Sequence, residues 1–142
     1  MTVEEAIRAR LLALPLVTAE VDSRVYTLTF PQNPTWPAIR VQEISEQEDF
    51  HLRGSIGLRR GRVQVDVVAT TFSVAAGIMA DVHGSCAGAG ASGLSGFVGA
   101  IAGDPPFVIA ALLADGARSI YDPDELSVVR LSRDYAVAWR ER

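Results

Sequence analysis

The chain has 142 residues, half of them apolar (49%), with a formal charge of −4, a pI near 5.1 and a mean hydropathy of +0.20. That suits one domain with a proper core, and it argues against a disordered chain. An acidic balance also argues against a general nucleic-acid binder, which is usually basic.

No apolar run reaches the roughly 18 residues of a membrane span. The opening Met-Thr-Val-Glu-Glu has no basic or apolar leader region, so no secretory signal is expected. A single cysteine, Cys86, excludes an internal disulfide and reads as an idle or buried thiol. All 13 basic residues are arginine, the side chain best suited to bidentate pairing across protein interfaces.

In chain order, Thr2 and Glu5 have capping-box spacing. Ala6, Ile7, Leu11, Leu12 and Leu14 then recur near helical spacing, with Arg8 and Arg10 expected to face away. The pattern predicts an amphipathic helix over residues 2–14, ended by Pro15. Residues 15–37 are irregular, with prolines at 15, 31, 34 and 37. Within them Val25–Phe30 reads as a short edge strand or extended arm.

From Ala38 the period changes to two, predicting a strand over Ala38–Asp49. His51–Gly61, with three glycines, reads as a loop. Val63, Val65 and Val67, expected to face the core, then alternate with Arg62, Gln64 and Asp66, expected to face out, in a strand running to about Thr71. Residues 38–71 thus form a long hairpin with an arginine-rich tip. Ser73 is a plausible N-cap for a helix whose face carries Val74, Ile78 and Val82. That helix is expected to weaken in the glycines from Gly84 onward. Glycine-rich residues 93–106 connect to a buried strand from Phe107, continued to Tyr121 after a break at Gly116. A turn at Asp122-Pro123-Asp124 precedes a last strand bearing Val129, Leu131, Arg133, Tyr135, Val137 and Trp139 on one face. The predicted fold is α+β in two layers: an antiparallel sheet of about four strands with two helices on one face, in the order α-β-β-α-β-β, as one domain over 1–142.

Catalytic constellations are missing from the pattern. His51 and His83 each stand alone and read as surface or partner-contact residues. Asp122 and Asp124 supply too few oxygens for calcium. The glycine run lacks the lysine of a phosphate loop and follows a helix where a dinucleotide fingerprint follows a strand. No enzyme activity, cofactor or metal is expected. The feature that stands out is the tip: Arg53, Arg59, Arg60 and Arg62 place four of the 13 arginines within ten residues, with Ile56 and Leu58 between them. A solvated loop explains the charges. Docking on an acidic neighbour explains both the charges and the exposed apolar residues. Contact with DNA phosphates is a third reading, which the acidic balance disfavours.

Four segments carry a resemblance: TVEEAIRARLLALP, SRVYTLTFPQNPTWPAIRVQEIS, HLRGSIGLRRGRVQVDVVATTFSVA and YDPDELSVVRLSRDYAVAWRE. In this order they cover most of the chain and resemble the tail-completion, or tail-terminator, proteins of long-tailed phages and gene transfer agents. The departure is residues 84–103, richer in Gly, Ala and Ser than the family's second helix. The resemblance implies helices on an antiparallel sheet and assembly as a ring, typically a hexamer, on the last ring of tail-tube subunits. Such a ring stops tube polymerisation and offers a docking surface to head-completion or neck proteins. DNA passes through it without sequence-specific binding, and no membrane is involved. The implied location is the head-proximal end of the virion tail, reached from the cytoplasm of the producing cell during assembly. On this reading Arg53, Ile56, Leu58, Arg59, Arg60 and Arg62 contact a neighbouring subunit or the tube. A head-tail connector or neck adaptor, and a small ligand-binding α+β domain, are the alternatives.

Overall fold

The computed structural model describes residues 2–84, 92–101, 107–121 and 128–141, with backbone alone at 49–51, 55, 56, 110–121 and 141. Cys86, Asp122 and Asp124 lie outside the described residues.

The first helix, α1 (Val3–Leu12), begins as its sequence dictates. The Thr2 hydroxyl accepts from the Glu5 amide at 3.3 Å, and the Glu5 carboxylate accepts from the Thr2 amide at 2.7 Å. Such a cap stabilises a helix by about 1 kcal/mol. Val3, Ala6, Ile7 and Leu11 form its buried face. Arg8 and Arg10, expected to face away, fold back onto neighbours. Arg8 Nε donates to the Val25 carbonyl at 2.6 Å, and Arg10 Nη2 donates to the Gly93 carbonyl at 3.3 Å.

Pro15 does more than end α1: it opens a second helix, α2 (Pro15–Val21). Its fixed φ suits the first helical position, where no amide partner is needed. The segment after Pro15, expected to be irregular, thus begins with a second helix.

The sheet has six strands where about four were expected, in the order β1-β2-β3-β6-β5-β4. Here β1 is Val25–Thr27, β2 Ala38–His51 and β3 Gly54–Ala69. After the third helix come β4 (Gly99–Ile101), β5 (Phe107–Tyr121) and β6 (Val129–Glu141). The four long strands are antiparallel, as expected. The two added strands are three-residue edges. β1 lies parallel to β2 (Val25 beside Ile39), so the sheet is mixed. The proline arm between them carries the chain back to start β2 in the same direction. β4 arises within the segment expected to be a plain connection, pairing Gly99–Ile101 with Phe107–Ile109.

The third helix, α3 (Phe72–His83), is capped by Thr71, whose hydroxyl accepts from the Val74 amide at 3.4 Å, and not by Ser73. That cap sets the helix phase. Ala75, Ile78, Met79 and Val82 are buried, while Val74, expected inward, is exposed. Residues 93–95 lie against the helix end. Gly84 has φ +70°, and a Cβ there would lie 2.3 Å from the Gly93 nitrogen. Side-chain-free backbones at both positions let the amides of Leu94 and Ser95 donate to the carbonyls of Val82 and His83, at 2.8 and 3.0 Å.

One core joins α1, α2 and α3 to the sheet through Ile39, Val41, Val63, Val65, Val67, Tyr135 and Trp139, among others. The opposite sheet face holds a buried polar knot. The Asp66 carboxylate, fully buried, accepts from Arg40 Nε at 2.9 Å and Gln64 Nε2 at 2.7 Å, and also from Arg40 Nη2 and the Ser132 hydroxyl. Several charge-assisted bonds onto one carboxylate satisfy a group whose lone burial would be costly.

Candidate functional site

The β2/β3 hairpin is longer and tighter than its sequence suggests. Residues His51–Gly61, expected to be a loop, are mostly ladder. Pairing continues to His51 beside Gly54, leaving Leu52 and Arg53 as a two-residue turn. Glycine supplies the left-handed φ that closes it, +125° at Gly54. β3 has its last β6 partner at Leu58, opposite Arg140. Residues 54–57 therefore extend past β6 as a two-stranded ribbon, about 13 Å at the usual strand rise. At its apex Leu52 is fully exposed (107%).

Side-chain alternation divides the predicted interface residues. Leu58, Arg60 and Arg62 share the face of Gln64 and Asp66, whereas Arg59 shares the helix-side face with Gly61 and Val63. Arg60 and Arg62 are exposed, Leu58 and Arg59 half-buried, and Arg53 is exposed at the turn. The Ile56 side chain lies outside the described ones. The four arginines thus do not form one patch.

Arg59 is also engaged within the hairpin, its Nη1 3.4 Å from Glu46 Oε1. This pair belongs to a carboxylate group on the helix side formed by Glu4, Glu43 and Glu46. Partial burial, then the charges of Glu4 and Glu46, raise the Glu43 carboxyl to about 7, with Arg59 opposing. Across the hairpin at this level, Gly61 allows the strands to meet. A Cβ there would sit 2.2 Å from the Ser45 carbonyl oxygen and 3.1 Å from the Trp139 ring.

A concavity of about 320 Å³ opens beside the hairpin, lined by Glu46, Arg60 and Arg62, among others, and two more lie elsewhere. One, of about 410 Å³, lies between the proline arm and the polar face, lined by Phe30, Pro31, Trp36, Arg40 and Arg130, among others. Its wall is built by edge-on packing of Phe30 against Trp36 at 5.2 Å, with the Arg40 guanidinium 5.7 Å from the Phe30 ring. The other, of about 230 Å³, lies between α2 and α3, formed by Glu20, Ser73, Val74, Gly77, Ile78 and Asp81. Neither it nor Leu52 was singled out from the sequence. Leu52 becomes notable once the turn is known to be two residues long.

His83 closes α3 half-buried, with Nδ1 3.2 Å from the Tyr135 hydroxyl. That contact is within the chain. Burial, and then the charge of Arg133, hold its pKa below the ordinary histidine value. Among the described residues no cluster of His, Cys, Asp or Glu has the makings of a metal site. No helix among them is long and apolar enough to cross a membrane.

The fold defines a small α+β domain that projects a ribbon, with the pairs Arg40–Asp66 and Arg59–Glu46 tying β2 to β3. The comparisons give that class a family. The chain belongs to the family described as Tail completion protein gp17, whose model matches residues 5–138. It is accordingly a tail-completion protein, a virion structural component and not an enzyme. Its fold is similar to a chain of the solved "Virion of native gene transfer agent (GTA) particle", with a TM-score of 0.68 and 15% identity. That match covers 97% of this chain and 94% of the other. No curated protein matches the chain.

Proposed function

We propose that this protein is a tail terminator. Copies of it close a ring, on the family pattern a hexamer, at the head-proximal end of the tail tube. The ring blocks addition of further tube subunits and presents its outer side to a head-completion or neck protein. DNA crosses its centre without being read. The net charge of −4 suits such a conduit, since phosphates are repelled more than held.

The observation that carries this reading is the β2/β3 ribbon, paired to its end and projecting beyond β6 with an exposed leucine at the apex. An ordered apolar tip held clear of the domain is a poor fit to bulk water and a good fit to a neighbour. Membership of the tail-completion family supplies the setting. Arg53, Leu58, Arg60 and Arg62 are the contacts we assign to that neighbour, with Ile56 by its place on the ribbon. Arg59 has the further task of holding Glu46.

Imaging particles made without this protein tests the proposal. Overlong tubes are the expected result. Tails of normal length that fail to join heads would instead make it a neck adaptor.

A further inference from the structure

The ribbon apex offers an apolar knob beside Arg53, and the α2/α3 groove an apolar hollow beside Glu20 and Asp81. The apex offers one fully exposed aliphatic side chain, Leu52, followed by the exposed Arg53. The groove offers about 230 Å³ over Val74, Gly77 and Ile78, bordered by the carboxylates of Glu20 and Asp81. Gly77 leaves its floor open, since a Cβ there would meet nothing within 4 Å. The surrounding helix surface is itself unusually apolar: Leu16, one turn before Glu20, is 66% exposed, and Phe72 is 58% exposed.

The two features cannot meet within one molecule. The apex lies at the start of β3, and α3 follows the end of β3. Sixteen strand residues span about 50 Å. A return along α3 as far as Asp81 recovers only about 15 Å of that. Along an ideal strand and helix, roughly 35 Å then separates knob and hole. A contact between two different patches of identical chains is heterologous, and repeating it around an axis generates a ring when the rotation closes.

We propose that Leu52 of one copy seats in the α2/α3 groove of the next, with Arg53 set against Glu20 and Asp81. This inference rests on the ring reading above and specifies the contact that builds the ring. The occupant is a second copy of this chain because one sequence carries both the basic apolar knob and the acidic-rimmed apolar hole. The seated leucine supplies burial, and the arginine sets register and selects against basic partners.

Disulfide trapping tests it. Particles are assembled with Leu52→Cys and Gly77→Cys in one chain, with Cys86→Ser removing the native thiol, and are then mildly oxidised. Both new cysteines occupy open positions, so folding is unaffected. The expected result is a ladder of covalent multimers on a non-reducing gel, collapsing to monomer on reduction and missing from either single-cysteine chain. Rings visible on tails without that ladder would overturn the Leu52 contact and leave the ring intact. Tails carrying only a single copy would overturn both.

Discussion

Asp66 shows how far one side chain can be committed to structure. It accepts from Arg40, Gln64 and Ser132 in full burial, while Arg40 remains 19% exposed. Asp66→Ala strands the donors and leaves the guanidinium without its carboxylate. The expected loss is about 3 kcal/mol, the lower end for a broken buried pair because Arg40 reaches water. Urea denaturation checks this. Glu43 behaves differently. Its carboxyl titrates near 7 in the folded chain against an ordinary 4.5, so folding favours the protonated form. The stability from this group is complete below pH 4.5 and is lost as pH rises through about 7. Glu43→Gln is therefore expected to raise Tm at pH 8 while leaving it nearly unchanged at pH 4.5. A Tm difference of equal size at both pH values would contradict that account.

At the scale of elements, the β2/β3 hairpin depends on Gly61. A Cβ there meets backbone of the neighbouring strand, which cannot swing away as a side chain can. Gly61→Ala is expected to cost roughly 2 kcal/mol or more, read as a lower denaturation midpoint with faster amide exchange in β2 and β3. Much of this element was legible beforehand. Val63, Val65 and Val67 announce a strand by alternation, although Gln64 and Asp66, expected outward, are buried as well, and Thr2 with Glu5 announces the start of α1. The ribbon end was not legible, because glycines and arginines hide the period although backbone pairing needs no apolar side chain. Pro15 was ambiguous in the same physical way: proline stops one helix and suits the first position of the next. The parallel edge strand β1 was hidden because a three-residue segment carries too little pattern to declare its partner or direction. Of the candidate site, the hairpin could be read and the patch could not. Arginines adjacent in sequence fall on opposite faces of a strand, and the groove formed by α2 and α3 depends on a helix the sequence did not reveal.

For the whole molecule, the ribbon arginines belong to the proposed interface. Arg53 and Arg62 are exposed, and an exposed charge pair contributes no more than about 1 kcal/mol. Arg53→Glu with Arg62→Glu is expected to leave Tm almost unchanged while particles lose capped tails. Capped tails of normal length from that double variant would exclude these arginines from the interface. Whether this 15.2 kDa chain terminates the tube is decided by adding the purified protein to polymerising tube protein and measuring tube lengths. Tubes are expected to shorten as the dose rises, with a ring of several copies at one end. Tubes of unchanged length with bare ends would contradict termination.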